Sequence, residues 1–451
     1  MGSFRYLKSK KHKYIATIAG NEDLEKFLAK KLAIPFIETP LEDATMFLIG
    51  ISNIIYETQN IDYGLLRNPA FVQYICDYFE YIFWNETIGD LNNKFLIVSR
   101  LISYFLRYRI FQPSEILTFP SLMPKIKQLT RSADRKRQKA GSSVYSLMIQ
   151  SGDVPEIVLK QFYPLAITLD TSFHSNKARI ACLHFLGQLF MTFPGLAHER
   201  IVEIFQIFHT VLTNKKLNGI YCDVLDAMRM AITAYPELLF LMAEMNLVDL
   251  ANLLLKSSSS RTKVAAYRFF STVFTTHSQD ELLPLTDKLL SNSILLSIDD
   301  IDEKISMTST QLLVDILSCG QLFIDMFMYG CNNLIQYILD DDKRDFKQKV
   351  LLFHASYNIF VIGSPEQCAN LFSSDLLGLQ CEEACNLENE IAGNFLDGMI
   401  TGMSKICTLE SFEELKNKIL EMDVCDSVSN LLDSEDASIA EMAQVFLNYF
   451  K

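Results

Sequence analysis

Asn246-Leu247-Val248-Asp249-Leu250-Ala251-Asn252-Leu253-Leu254-Leu255, then Lys256-Ser257-Ser258-Ser259-Ser260, then Val264-Ala265-Ala266-Tyr267-Arg268-Phe269-Phe270: in these three steps the chain states its architecture. A Leu-rich segment too short to be stable as a lone helix gives way to a polar break, and a longer helical segment opens on small residues. The order returns near the end. Val424-Cys425-Asp426-Ser427-Val428-Ser429-Asn430-Leu431-Leu432 precedes Asp433-Ser434-Glu435-Asp436 and a helix over 439–450. Ile439, Met442, Ala443, Phe446 and Phe450 share one face of that helix, which must be core.

Polar breaks of this kind recur near Asp90, Ser132, Ser175, Leu217, Ser258, Asp302, Asp345, Glu388 and Asp436, at spacings of 42, 43, 42, 41, 44, 43, 43 and 48 residues. A constant period of this length belongs to helical solenoids, whose units cannot bury their apolar faces alone and must stack. The fold expected is therefore an all-α, right-handed α-solenoid of about nine units over residues 46–451. It follows a basic arm and leading helix over 1–45, with Lys8, Lys10, Lys11 and Lys13 around His12 and a helix from about Asn21. Thr39-Pro40-Leu41-Glu42 predicts a capping box with a helix from Pro40; Ser364-Pro365-Glu366-Gln367 and Ser438-Ile439-Ala440-Glu441 predict two more.

Composition agrees. Only 17 Gly and 12 Pro occur in 451 residues, and 49% of the chain is apolar, so long helices run without breakers. The 10 cysteines have no paired spacing and each reads as a small buried hydrophobe; no signal peptide precedes them, which predicts a reducing cytosolic or nuclear setting. The longest apolar run, 238–255, is interrupted by Glu244, Asn246, Asp249 and Asn252, so no membrane span is expected. The net charge of −13 conceals a gradient: residues 1–140 balance at +6, 141–280 at 0 and 281–451 at −19. In a stacked array that is a basic head and an acidic tail.

The units at 246–274 and 422–450 resemble the armadillo repeat, built from a short helix, a second helix and a long third helix. Residues 123–149, 162–190, 204–231, 283–317 and 334–360 keep the order but lose the small residues. The glycine common between the first two helices of armadillo units is mostly absent, which leaves the related HEAT repeat, a helix pair, open for any one unit. The resemblance implies protein binding on the third helices, one per repeat along a concave face.

Aligned on one another, the third helices place His184 and Gln188, Asp226 and Met230, Arg268 and Thr272, Gln311 and Asp315, His354 and Asn358, and Gln444 and Asn448 as the corresponding pairs. This mainly polar set is the expected partner-binding ladder, although a merely solvated helix face would read the same way. Import receptors of the armadillo type carry a Trp and an Asn one turn apart on these helices. The single tryptophan here, Trp84, lies on a different helix, so that reading fails.

Phosphate loops, His-Glu-x-x-His helices, Gly-x-Ser-x-Gly elbows and Cys-x-x-Cys pairs are all missing from the sequence, and its seven histidines show no ligand spacing. No catalytic residue, cofactor or metal is therefore expected, and no small-molecule substrate. The run Arg131-Ser132-Ala133-Asp134-Arg135-Lys136-Arg137-Gln138-Lys139 could meet nucleic acid, an acidic peptide or the nuclear import machinery, but it falls on a break and reads better as an exposed turn and the first solvated turn of a long helix. The 29 acidic residues of 281–451 argue against nucleic acid. Asp340-Asp341-Asp342 reads as another solvated break. The functions left are an interaction scaffold for a peptide or partner domain, and a regulatory or exchange-factor subunit of a phosphatase, kinase or chaperone complex.

Overall fold

The computed structural model describes residues 21–57, 63–84, 91–108, 110–112, 122–150, 160, 162–164, 166–167, 175–288, 291–339, 345–384 and 387–451. Every regular element among these residues is helical. The chain divides into two compact units, Met1–Met230 and Ala231–Lys451.

The first unit contains α1 (Asn21–Leu32), α2 (Leu41–Glu57), α3 (Pro69–Trp84), α4 (Leu91–Arg107), α5 (Leu122–Thr130), α6 (Arg135–Gln150), α7 (Asn176–Thr192), α8 (Pro194–Glu199), α9 (Ile201–Thr213) and the start of α10 (Tyr221–Ala234). Its leading part closes on aromatic edges, Phe47 against Tyr74 at 5.3 Å and Phe71 against Phe105 at 6.2 Å between ring centroids. Farther on, α4 packs on α6 and α6 on α7. Tyr145 of α6 stacks on Phe162 at 4.0 Å, and Phe162 meets Phe185 of α7 edge-on at 4.7 Å.

In the second unit the three-helix order becomes regular. α11 (Leu238–Glu244), α12 (Leu247–Leu254) and α13 (Ser260–Thr276) form one repeat. α14 (Gln279–Leu282) with the 3-10 turn Leu283–Lys288, α15 (Ser291–Ile298) and α16 (Glu303–Cys319) form the next. α17 (Gln321–Leu339) then runs as one helix where two were expected, and pairs with α18 (Phe346–Ile362). α19 (Pro365–Phe372), α20 (Asp375–Ala384) and α21 (Asn389–Ile406) restore the triplet, and α22 (Phe412–Glu421), α23 (Val424–Ser429) with the turn Asn430–Asp433, and α24 (Ala437–Asn448) repeat it. Armadillo-like and HEAT-like grammar thus coexist. α17 contains no proline, and no residue inside it takes a positive φ, so nothing divides it.

The missing glycine is explained at two junctions. Asn246, between α11 and α12, has φ 60°, and Asp423, between α22 and α23, has φ 56°. Asn and Asp are the non-glycine residues that tolerate this left-handed region best, so they turn the chain where the armadillo pattern uses Gly.

The breaks act as helix caps. The side chains of Asp302, Asp345 and Asp436 accept from the backbone N–H two residues on, at 3.1, 2.8 and 2.9 Å, and Ser259 accepts from Thr262 at 3.4 Å. Some expectations shift. Asn214, not Leu217, caps the turn before α10, and Leu217 is buried. Asp134 rather than Ser132 starts α6, accepting from Lys136 and Arg137.

Of the capping boxes, Ser364 and Gln367 form theirs reciprocally, at 3.2 and 2.7 Å. Thr39 instead donates to the Pro35 carbonyl, and α2 begins at Leu41 with the Pro40 carbonyl as its first acceptor. α24 begins at Ala437 under Asp436, so Ser438 lies inside the helix. A box absent from the sequence reading, Ser278 with Glu281, opens α14.

Hydrogen bonds between repeats carry the same period. Arg67 Nε donates to the Ile110 carbonyl at 2.6 Å, 43 residues away. A ring nitrogen of His277 lies 2.9 Å from the Pro236 carbonyl, 41 residues away. The Leu322 N–H donates to Gln279 Oε1 at 3.1 Å over 43 residues, and Lys405 Nζ to the Gly363 carbonyl at 2.9 Å over 42. Each repeat therefore satisfies polar groups of its neighbour as well as covering its apolar face.

Candidate protein-binding face

The long third helices of the second unit, α13, α16, α18, α21 and α24, pack in succession and form one layer. Their caps fall at Ser259, Asp302, Asp345, Glu388 and Asp436. Positions two, nine and thirteen after a cap share one helix face. On α13 these are Arg261, Arg268 and Thr272; on α16 Lys304, Gln311 and Asp315; on α18 Lys347, His354 and Asn358; on α21 Glu390, Asp397 and Thr401.

Arg261, Arg268, Lys304, Gln311, Lys347, Glu390 and Asp397 are exposed, and Thr272, His354, Asn358 and Thr401 half-buried. Asp397 and Thr401 were missed by the sequence reading. The constant offset from Glu388 would have found them.

Asp315 differs from the others. It is only 7% exposed, takes a hydrogen bond from Ser271 Oγ of α13, and accepts from Gln311 Nε2 at 2.9 Å. Burial pushes its carboxyl pKa up, against the opposing effect of those two donors. Asn358 Nδ2 donates to the Val314 carbonyl at 3.1 Å. Both side chains therefore tie α16 to a neighbouring third helix. Thr272 Oγ1 donates to the Arg268 carbonyl at 3.1 Å. On α24, Glu441, Gln444, Val445 and Asn448 are exposed, and Asn448 Oδ1 accepts from Gln444 Nε2 at 3.0 Å and Lys451 Nζ at 2.8 Å.

In the first unit, His184 is half-buried and its Nδ1 has no hydrogen-bond partner. Gln188 Nε2 lies 3.8 Å from Met230 Sδ, and Asp226 pairs with Arg229 at 3.8 Å. Close approach of α7 to α10 explains Gly187, where a Cβ would lie 3.0 Å from Ala227 Cα. Of the basic run, Arg131, Ala133, Arg135 and Lys136 are exposed while Gln138 is buried. Trp84 ends α3, and Asp340-Asp341-Asp342 lies outside the described residues.

The cysteines correct a simple expectation. Cys182, Cys222, Cys368 and Cys381 are buried, but Cys76, Cys319 and Cys425 are half-buried and Cys407 is exposed. Desolvation raises the Cys319 and Cys425 thiols to about 11. Among the described residues, no group of three His, Cys, Asp or Glu side chains could hold a metal, and no helix is long and apolar enough to cross a membrane.

No family model and no curated protein matches the chain. The crystal structure of an engineered protein aligns over 94% of this chain and 98% of its own length, with TM-score 0.64 and 15% identity. The fold is that of the armadillo/HEAT-type helical repeats. A designed armadillo repeat protein in complex with the peptide (KR)4 aligns over 54% of this chain and 98% of its own, at TM-score 0.47 and 16% identity. At 15% identity the likeness to the engineered protein concerns the fold alone.

Proposed function

We propose that the chain is a non-catalytic interaction scaffold, binding an extended peptide or a partner domain on its third-helix layer in the cytosol or nucleus. The observation that carries this reading is the stripe at constant offset from the caps, where Arg268, Gln311, His354 and Asp397 repeat on four successive helices and remain solvent-accessible. Stacked repeats with such a row offer an extended chain equivalent contacts at each step.

The test is affinity capture of the tagged chain from its own cells, wild type beside a variant carrying Arg268→Glu, Gln311→Lys and Asp397→Lys. Helicity by circular dichroism should be unchanged, since the substituted side chains are exposed. Loss of the wild-type partner supports recognition on this face; full retention moves it elsewhere and overturns the reading.

A further inference from the structure

The third-helix stripe of the second unit is polarised. Arg268 stands on α13, Lys304 on α16 and Lys347 on α18, whereas α21 carries Glu390 and Asp397. Two further cations nearby are already engaged: Lys263 pairs with Asp300 at 3.5 Å, and Lys405 Nζ donates to the carbonyls of Val361 and Gly363 at 2.7 and 2.9 Å. Glu303, next to Lys304, points about 100° away around the helix. Between the two charged ends the stripe turns apolar, because α18 presents half-buried Leu351 and 36% exposed Val361 on either side of His354 and Asn358.

Resting on the scaffold reading above, we infer that this face binds an extended peptide segment with an acidic end, an apolar centre and a basic end, in one orientation. The acidic end lies over α13 and α16, the apolar residue over α18, and the basic end over α21. Packed helices stand about 9 Å apart, so the three steps from α13 to α21 span about 27 Å, the reach of about eight extended residues. Charge complementarity selects the occupant: a uniformly basic or acidic peptide meets like charge at one end of the stripe.

Four synthetic nine-residue peptides test this with the full chain: an acidic–Leu–basic block peptide, a peptide of the same composition with charges alternating, an all-acidic one and an all-basic one. The block peptide should bind about tenfold more tightly than the alternating one, and Arg268→Glu and Asp397→Lys should each weaken it about fivefold. A photo-crosslinker on its acidic end should label α13, and on its basic end α21.

Equal affinity for block and alternating peptides, lost in the charge variants, would sink the polarity and leave the scaffold reading standing. Absence of binding by all four would sink the peptide proposal, while the scaffold reading would still be decided by the affinity capture. The stripe is also self-complementary for an antiparallel second copy; a dimer in sedimentation that dissolves on Arg268→Glu would assign the face to that contact and overturn the peptide.

Discussion

At the scale of single residues, backbone conformation and burial make firm demands. Asn246 holds φ 60° at the α11–α12 junction. Ala there should cost about 1 kcal/mol, because its Cβ crowds the following carbonyl, whereas Gly should be neutral or stabilising. Chemical denaturation of both variants checks this, and equal stability would contradict it.

Asp315 offers a pH readout. Its folded carboxyl holds the proton above the ordinary value of 3.8, so the native state binds more protons than the unfolded chain in that window. Stability contributed at this site is therefore present at low pH and lost as pH rises through the raised value. Asp315→Asn removes the titration. The stability of wild type relative to this variant should fall as pH rises above the ordinary carboxylate value, as followed by urea midpoints at each pH. A flat difference would remove burial as the controlling influence.

Elements depend on their ends. The reciprocal bonds of Ser364 and Gln367 satisfy two N–H groups at the start of α19, with Pro365 preset for the first turn. Ser364→Ala should cost about 1 kcal/mol of unfolding free energy. Cross-helix contacts are equally exacting: a Cβ on Gly402 of α21 would lie 2.6 Å from Cδ1 of the buried Phe360 ring of α18, so Gly402→Ala must displace that ring. Thermal unfolding should drop by several degrees, while Gly393→Ala, whose Cβ would meet only Met442 Cε at 3.3 Å, should be tolerated.

α24 packs on α21, buries Ile439, Ala443 and Phe446, and leaves Glu441, Gln444 and Asn448 exposed. Deleting residues 437–451 would expose that apolar layer, and the truncated chain should aggregate. A soluble truncation of undiminished helicity per residue would refute the capping role.

For the whole molecule, stability adds up from each repeat and its neighbours, so protection should be uneven. Buried amides of α16, packed between α13 and α18, should exchange more slowly than those of α24, packed against α21 on one side. Hydrogen exchange resolved by mass spectrometry would show it. Uniform rates in both helices would mean that the second unit opens only as a whole.

Sequence alone determined the helical class, the period and most helix starts, because periodic apolar residues and Asp or Ser caps at Asp302, Asp345 and Asp436 are local signals. It also put Arg268, Gln311 and His354 at one offset on α13, α16 and α18, since offset along a helix sets the face. Only tertiary structure decided which of them remain accessible: Asp315 turns inward to Ser271 and Asn358 to the Val314 carbonyl, contacts made across about 44 residues of chain. Tertiary structure likewise showed that α17 is one helix and that Asn246 and Asp423 replace glycine. Fusion of two helices and a left-handed turn depend on what packs around the junction, and a linear pattern of apolar residues does not carry that information.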